Sequence, residues 1–197
     1  MTDFFSVVGS QRACRAFTDE PVTDDVVERV LEAATHAPSA ENTQPWVFVV
    51  VRDPELRARI GAITAEAWTG AGRAFSQPRL TPGLFADVDR GATGGVSEAP
   101  VLVVVAGDTT RCVEAALDAS VFPAIQNLLL AANAAGLGSA LTTLPTFAGD
   151  LSPLLDLPDH IRPIAVVPLG HAARPLGPPR RAPVAEKAHR ERYGAPW

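Results

Sequence analysis

Two stretches of this chain hold residue types able to grip a ligand. In Gln11-Arg12-Ala13-Cys14-Arg15-Ala16-Phe17, two arginines stand three apart among small residues. Arginine is the side chain best shaped for forked recognition of an anion such as phosphate. A turn or a helical start lets the pair converge on one anion, whereas an extended backbone sends them apart. Two solvated arginines are the plain alternative. The second stretch, Ala37-Pro-Ser-Ala-Glu-Asn-Thr-Gln-Pro-Trp46, sets the polar groups of Ser39, Asn42 and Gln44 between two prolines, with Trp46 as anchor. Such a loop on a rigid scaffold suits a planar polar ligand laid against backbone and amide groups. A helix-to-strand connection without a ligand is its other reading.

Other chemistry is missing. There is no Gly-x-Ser-x-Gly elbow, no phosphate-binding Gly-x-x-x-x-Gly-Lys loop and no His-Glu-x-x-His metal helix. The four histidines, His36, His160, His171 and His189, are dispersed. His36 falls at the end of a predicted helix, where a cation suits the macrodipole. Cys14 and Cys112 form neither a disulfide framework nor a metal pattern. With no nucleophile and no metal set, any redox step belongs to a bound organic cofactor that the protein holds and polarises.

The elements that position the two stretches follow from periodicity. Residues 3–9 predict a short helix with Phe4, Phe5 and Val8 as its stripe. Thr23-Asp24-Asp25 starts a helix to about residue 36, with Val26, Val27, Val30, Leu31 and Ala34 on one face. Residues 46–51 and 100–106 are all-apolar runs that read as strands buried on both faces. Asp53-Pro54 opens a helix reaching about Phe75. From Ser76 to Ser97 the prolines and glycines leave no periodicity, and a mobile, lid-like surface loop is expected. Trp68 and Phe85, near its ends, are candidates to cover a ligand. The longest helix spans 110–135 and is apolar all round from Val121, which marks it as central or interfacial. Its polar exceptions include Asp118, Ser120 and Asn127. Gly136-Leu-Gly-Ser139 closes it. A short strand at 141–145, a brief helix at 150–157 and a strand at 164–170 precede a proline-rich extended tail over 171–197, expected to wrap a partner subunit.

With 47% hydrophobic and 20% charged residues among 197, the chain suits one well-packed domain. A net charge of −5 argues against nucleic acid as a partner. The start lacks a basic, apolar leader, and the run around Leu128–Ala135 is too short to span a bilayer, so a cytoplasmic protein without membrane contact is expected.

The arginine pair, the Ala-Pro-Ser-x-x-Asn-x-Gln-Pro-Trp loop and the long helix ending in Gly-Leu-Gly-Ser together resemble the FMN-dependent nitroreductase family, over essentially the whole chain. The resemblance implies an α+β, three-layer sandwich with a mixed central sheet flanked by helices, in an intertwined homodimer with flavin sites at the interface. It implies that Gln11, Arg12, Ala13 and Arg15 occupy the segment that binds flavin phosphate and ribityl, with Arg180 or Arg181 closing the phosphate site. It implies that Pro38, Ser39, Ala40 and Asn42 come from the opposite subunit to line the isoalloxazine, and that Ser120 makes a polar contact to it. Thr142, Thr143 and Leu144 match the strand whose backbone lies against the ring and can donate to N5. No catalytic acid or base and no metal is implied. The activity implied is electron transfer from NADH or NADPH to a nitroaromatic, quinone or similar small aromatic acceptor, by ping-pong kinetics. A flavin-sequestering protein, or a specialised relative that remodels flavin, dehalogenates or uses a deazaflavin, are the alternatives. Gln11 stands where the family has its first arginine and Ala13 where it has serine. One charge-assisted contact fewer costs about 1.5–3 kcal/mol, roughly ten- to a hundredfold in affinity.

Overall fold

The strand Val101–Asp108 (β2) is the spine of the protein, with residues 101–107 all buried. It is seen in a computed structural model that describes residues 3–147 and 149–197. Trp46–Val51 (β1) pairs with one edge of β2 and Ile161–Gly170 (β4) with the other, and the short Gly138–Ser139 (β3) follows β4. All three pairings are antiparallel. The mixed character expected of the sheet is confined to one parallel bridge, Ala13 to Ser139.

Side chains of a strand alternate between faces, and β2 shows why it carries no polar alternation. Val101, Val103 and Val105 enter a core with Val27, Val30, Leu117, Val121, Ile125 and Leu128. These come from Asp24–Thr35 (α2) and Glu114–Ala134 (α7), which cover one face of the sheet. Leu102 and Val104 enter a second core with Ile60, Val96, Leu151, Cys14 and Phe17. Here the cover is Pro54–Ala67 (α3), Val96–Glu98 (α6) and Leu151–Leu154 (α8). The result is three layers, with each buried valine or leucine of β2 contributing about 1.5–3 kcal/mol over exposure. Among the described helices α7 alone is long and apolar enough to cross a membrane, and the structure uses it as the core helix of one sheet face.

Local signals set the ends. Asp53 accepts from Leu56 N–H at 2.8 Å with Pro54 in the first turn of α3. Gly136, at φ +79°, closes α7, with Leu137 N–H donating back to the Ala132 carbonyl at 2.9 Å. Phe4–Ser10 (α1) forms as expected, but its stripe does not: Val7 is buried while Phe4, Phe5 and Val8 are exposed.

The 76–97 segment departs most from the expected loop. Arg73–Ser76 (α4) ends at its first residue, and within it lie Pro82–Arg90 (α5), a π-turn at Gly91–Gly95 and the start of α6. Proline at the first helical turn is pre-organised for helix. The glycines are there because another segment crosses them closely. A Cβ at Gly95 would stand 2.2 Å from the Arg15 carbonyl oxygen. Trp68 does not cover a cleft: it is buried, donates Nε1–H to Asp89 at 2.8 Å and packs on Phe85. The strand expected at 141–145 is a single bridge, Thr142 to Val166, followed by a 3-10 turn at Leu144–Thr146. The tail begins by pairing with its own chain, Ala172 bridging Phe17, and is largely exposed beyond Gly177.

Candidate functional site

Residues 11–17 run extended, pinned by the Ala13–Ser139 and Phe17–Ala172 bridges. Side chains an odd number apart on extended backbone face opposite ways, so Arg12 and Arg15 diverge instead of converging on one anion. Arg15 lines a small cleft with Val88, Ala92, Val96, Thr142 and Leu144. Arg12 and Gln11 line a larger, open groove with Asn133, Ser139, His171 and Arg174.

The first cleft is apolar but for Arg15 and the Thr142 region. Thr142 Oγ1 accepts from Leu144 N–H at 3.2 Å, and Thr142 N–H donates to the Val166 carbonyl. Among the described residues Thr143 N–H makes no hydrogen bond, so of the three it is the free backbone donor. The groove holds two arginines, Arg12 and Arg174, with His171, whose Nε2 lies 3.7 Å from Glu20 in the same lining. Arg12 donates to the Gly177 carbonyl at 3.2 Å. Arg180 follows three residues later and so begins within about 10 Å of that anchor. Neither Arg180 nor Arg181 lines the groove itself, and Arg181 donates to the Arg180 carbonyl.

The 38–42 loop lies elsewhere. Ala40 N–H donates to Ser120 Oγ at 3.1 Å, and that hydroxyl donates to the Ala116 carbonyl at 2.8 Å. Within the chain Ser120 therefore anchors the loop, with one acceptor lone pair of its hydroxyl left over. Ser39 Oγ accepts from Gln44 N–H, Thr43 Oγ1 donates to the Ala40 carbonyl, and Arg111 reaches in to the Thr43 carbonyl at 2.9 Å. Three non-glycine residues, Glu41, Asn42 and Gln44, sit at φ 53°, 55° and 49°. Such strain persists only where surroundings over-determine it, and it clusters at ligand sites. Pro38, Glu41 and Asn42 remain exposed.

Along α7, Ser120 marks the loop and Asn133 marks the groove, where its Nδ2 holds the Val7 carbonyl and Ser10 Oγ at 2.9 Å each. Thirteen helical residues span about 20 Å. One chain therefore brings Arg15, Thr142 and Leu144 together, and Gln11 and Arg12 together, but keeps Pro38, Ser39, Ala40 and Asn42 at the far end of α7.

Burial pushes the Cys14 thiol up from its ordinary range, which leaves it a poor nucleophile beside the cleft. His36 caps α2 in the open, as its position suggests. Among the described residues no group of three or more His, Cys, Asp or Glu side chains is placed to hold a metal. Arg174, His171, Arg111 and Asp87 were not among the sequence candidates. Only the basic character of the segment after the last strand hinted at the first two.

The sequence model of the nitroreductase family matches residues 8–171. Iodotyrosine deiodinase 1 of Rattus norvegicus is 30% identical over 183 residues, covering 87% of this chain. The chain spans 63% of that protein's length. A protein of Methanothermobacter thermautotrophicus, whose name proposes NADH dehydrogenase or NAD(P)H nitroreductase activity, is 29% identical over 181 residues, covering 89% of this chain and 80% of its own. A protein of Desulfovibrio desulfuricans, provisionally named a nitroreductase and crystallised in complex with FMN, superposes with a TM-score of 0.74 at 28% identity, covering 98% of this chain and 99% of its own.

Proposed function

The chain belongs to the nitroreductase family, and from that membership we propose that it is an FMN-dependent oxidoreductase. In this reading it passes electrons from NADH or NADPH to a nitroaromatic, quinone or similar small aromatic acceptor. The observation that carries it is the division of the arginine pair. One arginine shares an apolar cleft with Thr142 and Leu144, and the other joins Arg174 and His171 in a second groove. An apolar cleft beside a groove that holds arginines would suit a ring bearing a phosphate chain.

Arg12, Arg174 and His171 would hold the phosphate, with Arg180 and Arg181 closing over it from the tail. Arg15 and the Thr143 N–H would face the ring, and a donor held there without rearrangement stabilises charge as it develops. When bound, FMN supplies the hydride-accepting and hydride-returning chemistry between nicotinamide and acceptor, by turns. The protein's part is orientation and electrostatics. The strained 38–42 loop would line the ring from a second copy. Two chains packed antiparallel along α7 would put the loop of one at the arginine end of the other, and Phe4, Phe5, Val8 and Phe122 are exposed apolar side chains that such a homodimer would cover. A cytoplasmic location belongs to the same proposal.

Similarity to iodotyrosine deiodinase 1 favours a second reading, reductive dehalogenation of an aromatic substrate on the same cofactor. An absorption spectrum of the purified protein tests the first step. We expect a yellow protein that bleaches under anaerobic NAD(P)H and recovers its colour with a quinone or nitroaromatic. Recovery only with a halogenated aromatic selects the second reading. A protein that stays colourless after incubation with excess FMN overturns both.

A further inference from the structure

Arg15 is held by a device built into α5 and the π-turn after it. Asp87 accepts from Arg15 Nη1 at 2.8 Å with one carboxylate oxygen and from Arg174 Nη2 at 3.0 Å with the other. Four and eight residues on, Gly91 and Gly95 continue the same helical stripe. A Cβ at Gly91 would stand 2.5 Å from Arg15 Cδ, so the stem of Arg15 lies in a bed that only glycine provides. Asp87 is four-fifths covered and Arg15 three-quarters covered. At such sites a charge-assisted pair is screened less than at an open surface. Among the described residues Nε and Nη2 of Arg15 make no hydrogen bond, which leaves donors for a ligand. Asp87 also stands between the two parts of the site, since Arg15 lines the cleft and Arg174 the groove.

We propose that Asp87 is a positioning residue that fixes the aim of Arg15 and tempers its charge, and that through Arg174 it couples the ring end of the site to the phosphate end. The proposal rests on the flavin reading above. A carboxylate 2.8 Å from the guanidinium cancels much of the positive field that Arg15 offers a ligand. The reduced form of a flavin is the more electron-rich one and gains more from that field than the oxidised form.

Asp87→Asn in the FMN-loaded protein therefore raises the affinity for reduced over oxidised cofactor by about tenfold, read as a midpoint potential about 30 mV higher for a two-electron couple. Asp89→Asn is the structural control. It takes the charge out of the tether of α5 to Trp68 and Arg73 without touching Arg15, and it lowers the melting temperature while leaving the potential unchanged. An unchanged potential in Asp87→Asn, or the same shift in both variants, overturns the proposal. A wild type that takes up no FMN refutes the flavin reading separately. The cradle is then read in the apo protein by nitrogen-15 NMR of arginine side chains. Exchange of the Arg15 guanidinium protons speeds up by about fivefold in Asp87→Asn and not in Asp89→Asn. Equal exchange in all three proteins overturns the cradle itself.

Discussion

Ser120→Ala separates two roles for one hydroxyl. The side chain, 2% exposed, accepts from Ala40 N–H at 3.1 Å and donates to the Ala116 carbonyl at 2.8 Å. Removing it strands the Ala40 N–H, and an unsatisfied buried donor costs about 1–3 kcal/mol. The flanking Pro38, Glu41 and Asn42 are exposed, so water reaches part of the loop and the lower portion of that range, about 1–2 kcal/mol, applies. The loop also stores strain. Residues such as Glu41 and Gln44 give up about 1–2 kcal/mol each to sit in the left-handed region, and they stay there only while the surrounding bonds insist. In a chain of this length the loss lowers the melting temperature by about 2–8 °C. If the loop must be ordered to receive FMN, binding weakens by about 5- to 30-fold. Thermal melts and an FMN titration of the same preparation measure both. An unchanged melting temperature with lost FMN binding would refute the anchor and give the hydroxyl to the ligand. Neither effect would mean that Arg111 and Thr43 suffice to hold the loop.

Gly95→Ala drives a Cβ to 2.2 Å from the Arg15 carbonyl oxygen, a backbone atom that cannot swing aside, whereas Gly70 has nothing within 4 Å. The first should lose about 1–3 kcal/mol by overpacking, and Gly70→Ala should be neutral or gain up to about 1 kcal/mol, both read from denaturant melts. At Asp108 the Thr110 hydroxyl, helped by the Thr110 N–H, holds the carboxyl below its ordinary range. A carboxyl with a lowered folded pKa stabilises the protein above its unfolded pKa and loses that contribution as pH falls through the folded value. Thr110→Ala should move the Asp108 titration upward in NMR. The stability gap from wild type should be open at neutral pH and close in acid, and a gap that widens in acid would contradict this.

The central strands and the two long helices were legible because their signals are local and agree. The β-branched run of β1 has its bounds in the sequence, and α2 shows its apolar face at helical spacing. The 76–97 segment was misread for a non-local reason. Glycine lowers helix propensity, so Gly91, Gly94 and Gly95 read as loop, but Gly91 and Gly95 are required by the approach of Arg15 from about eighty residues away. The arginine pair was half legible. Its residue type spoke for an anion, but convergence depended on backbone conformation, and two bridges to distant segments decided for extended chain. Ser120 showed itself as a polar exception on an apolar helix, and a buried polar group must find a partner. That its partner is the backbone of the 38–42 loop required the fold.

The missing arginine at position 11 is where the structure changes the argument most. Read along the sequence, Gln11 and Ala13 leave the anion site one charge and one hydroxyl short. In the folded chain the groove that takes Arg12 also takes Arg174 and His171 from the end of β4, and the tail arginines start from a carbonyl that Arg12 itself holds. The positive charge has moved from the first strand-like segment to the last, which the sheet places side by side through the Phe17–Ala172 bridge. Of these replacements, Arg174 is shared with Asp87 at 3.0 Å, and the His171 Nε2 lies 3.7 Å from Glu20. The groove thus sets two arginines, Arg12 and Arg174, against two carboxylates, Glu20 in its lining and Asp87 on Arg174. Asp87, paired with Arg15 and Arg174, is the carboxylate through which the proposal above would set the strength of those two arginines, beside any deficit left by Gln11.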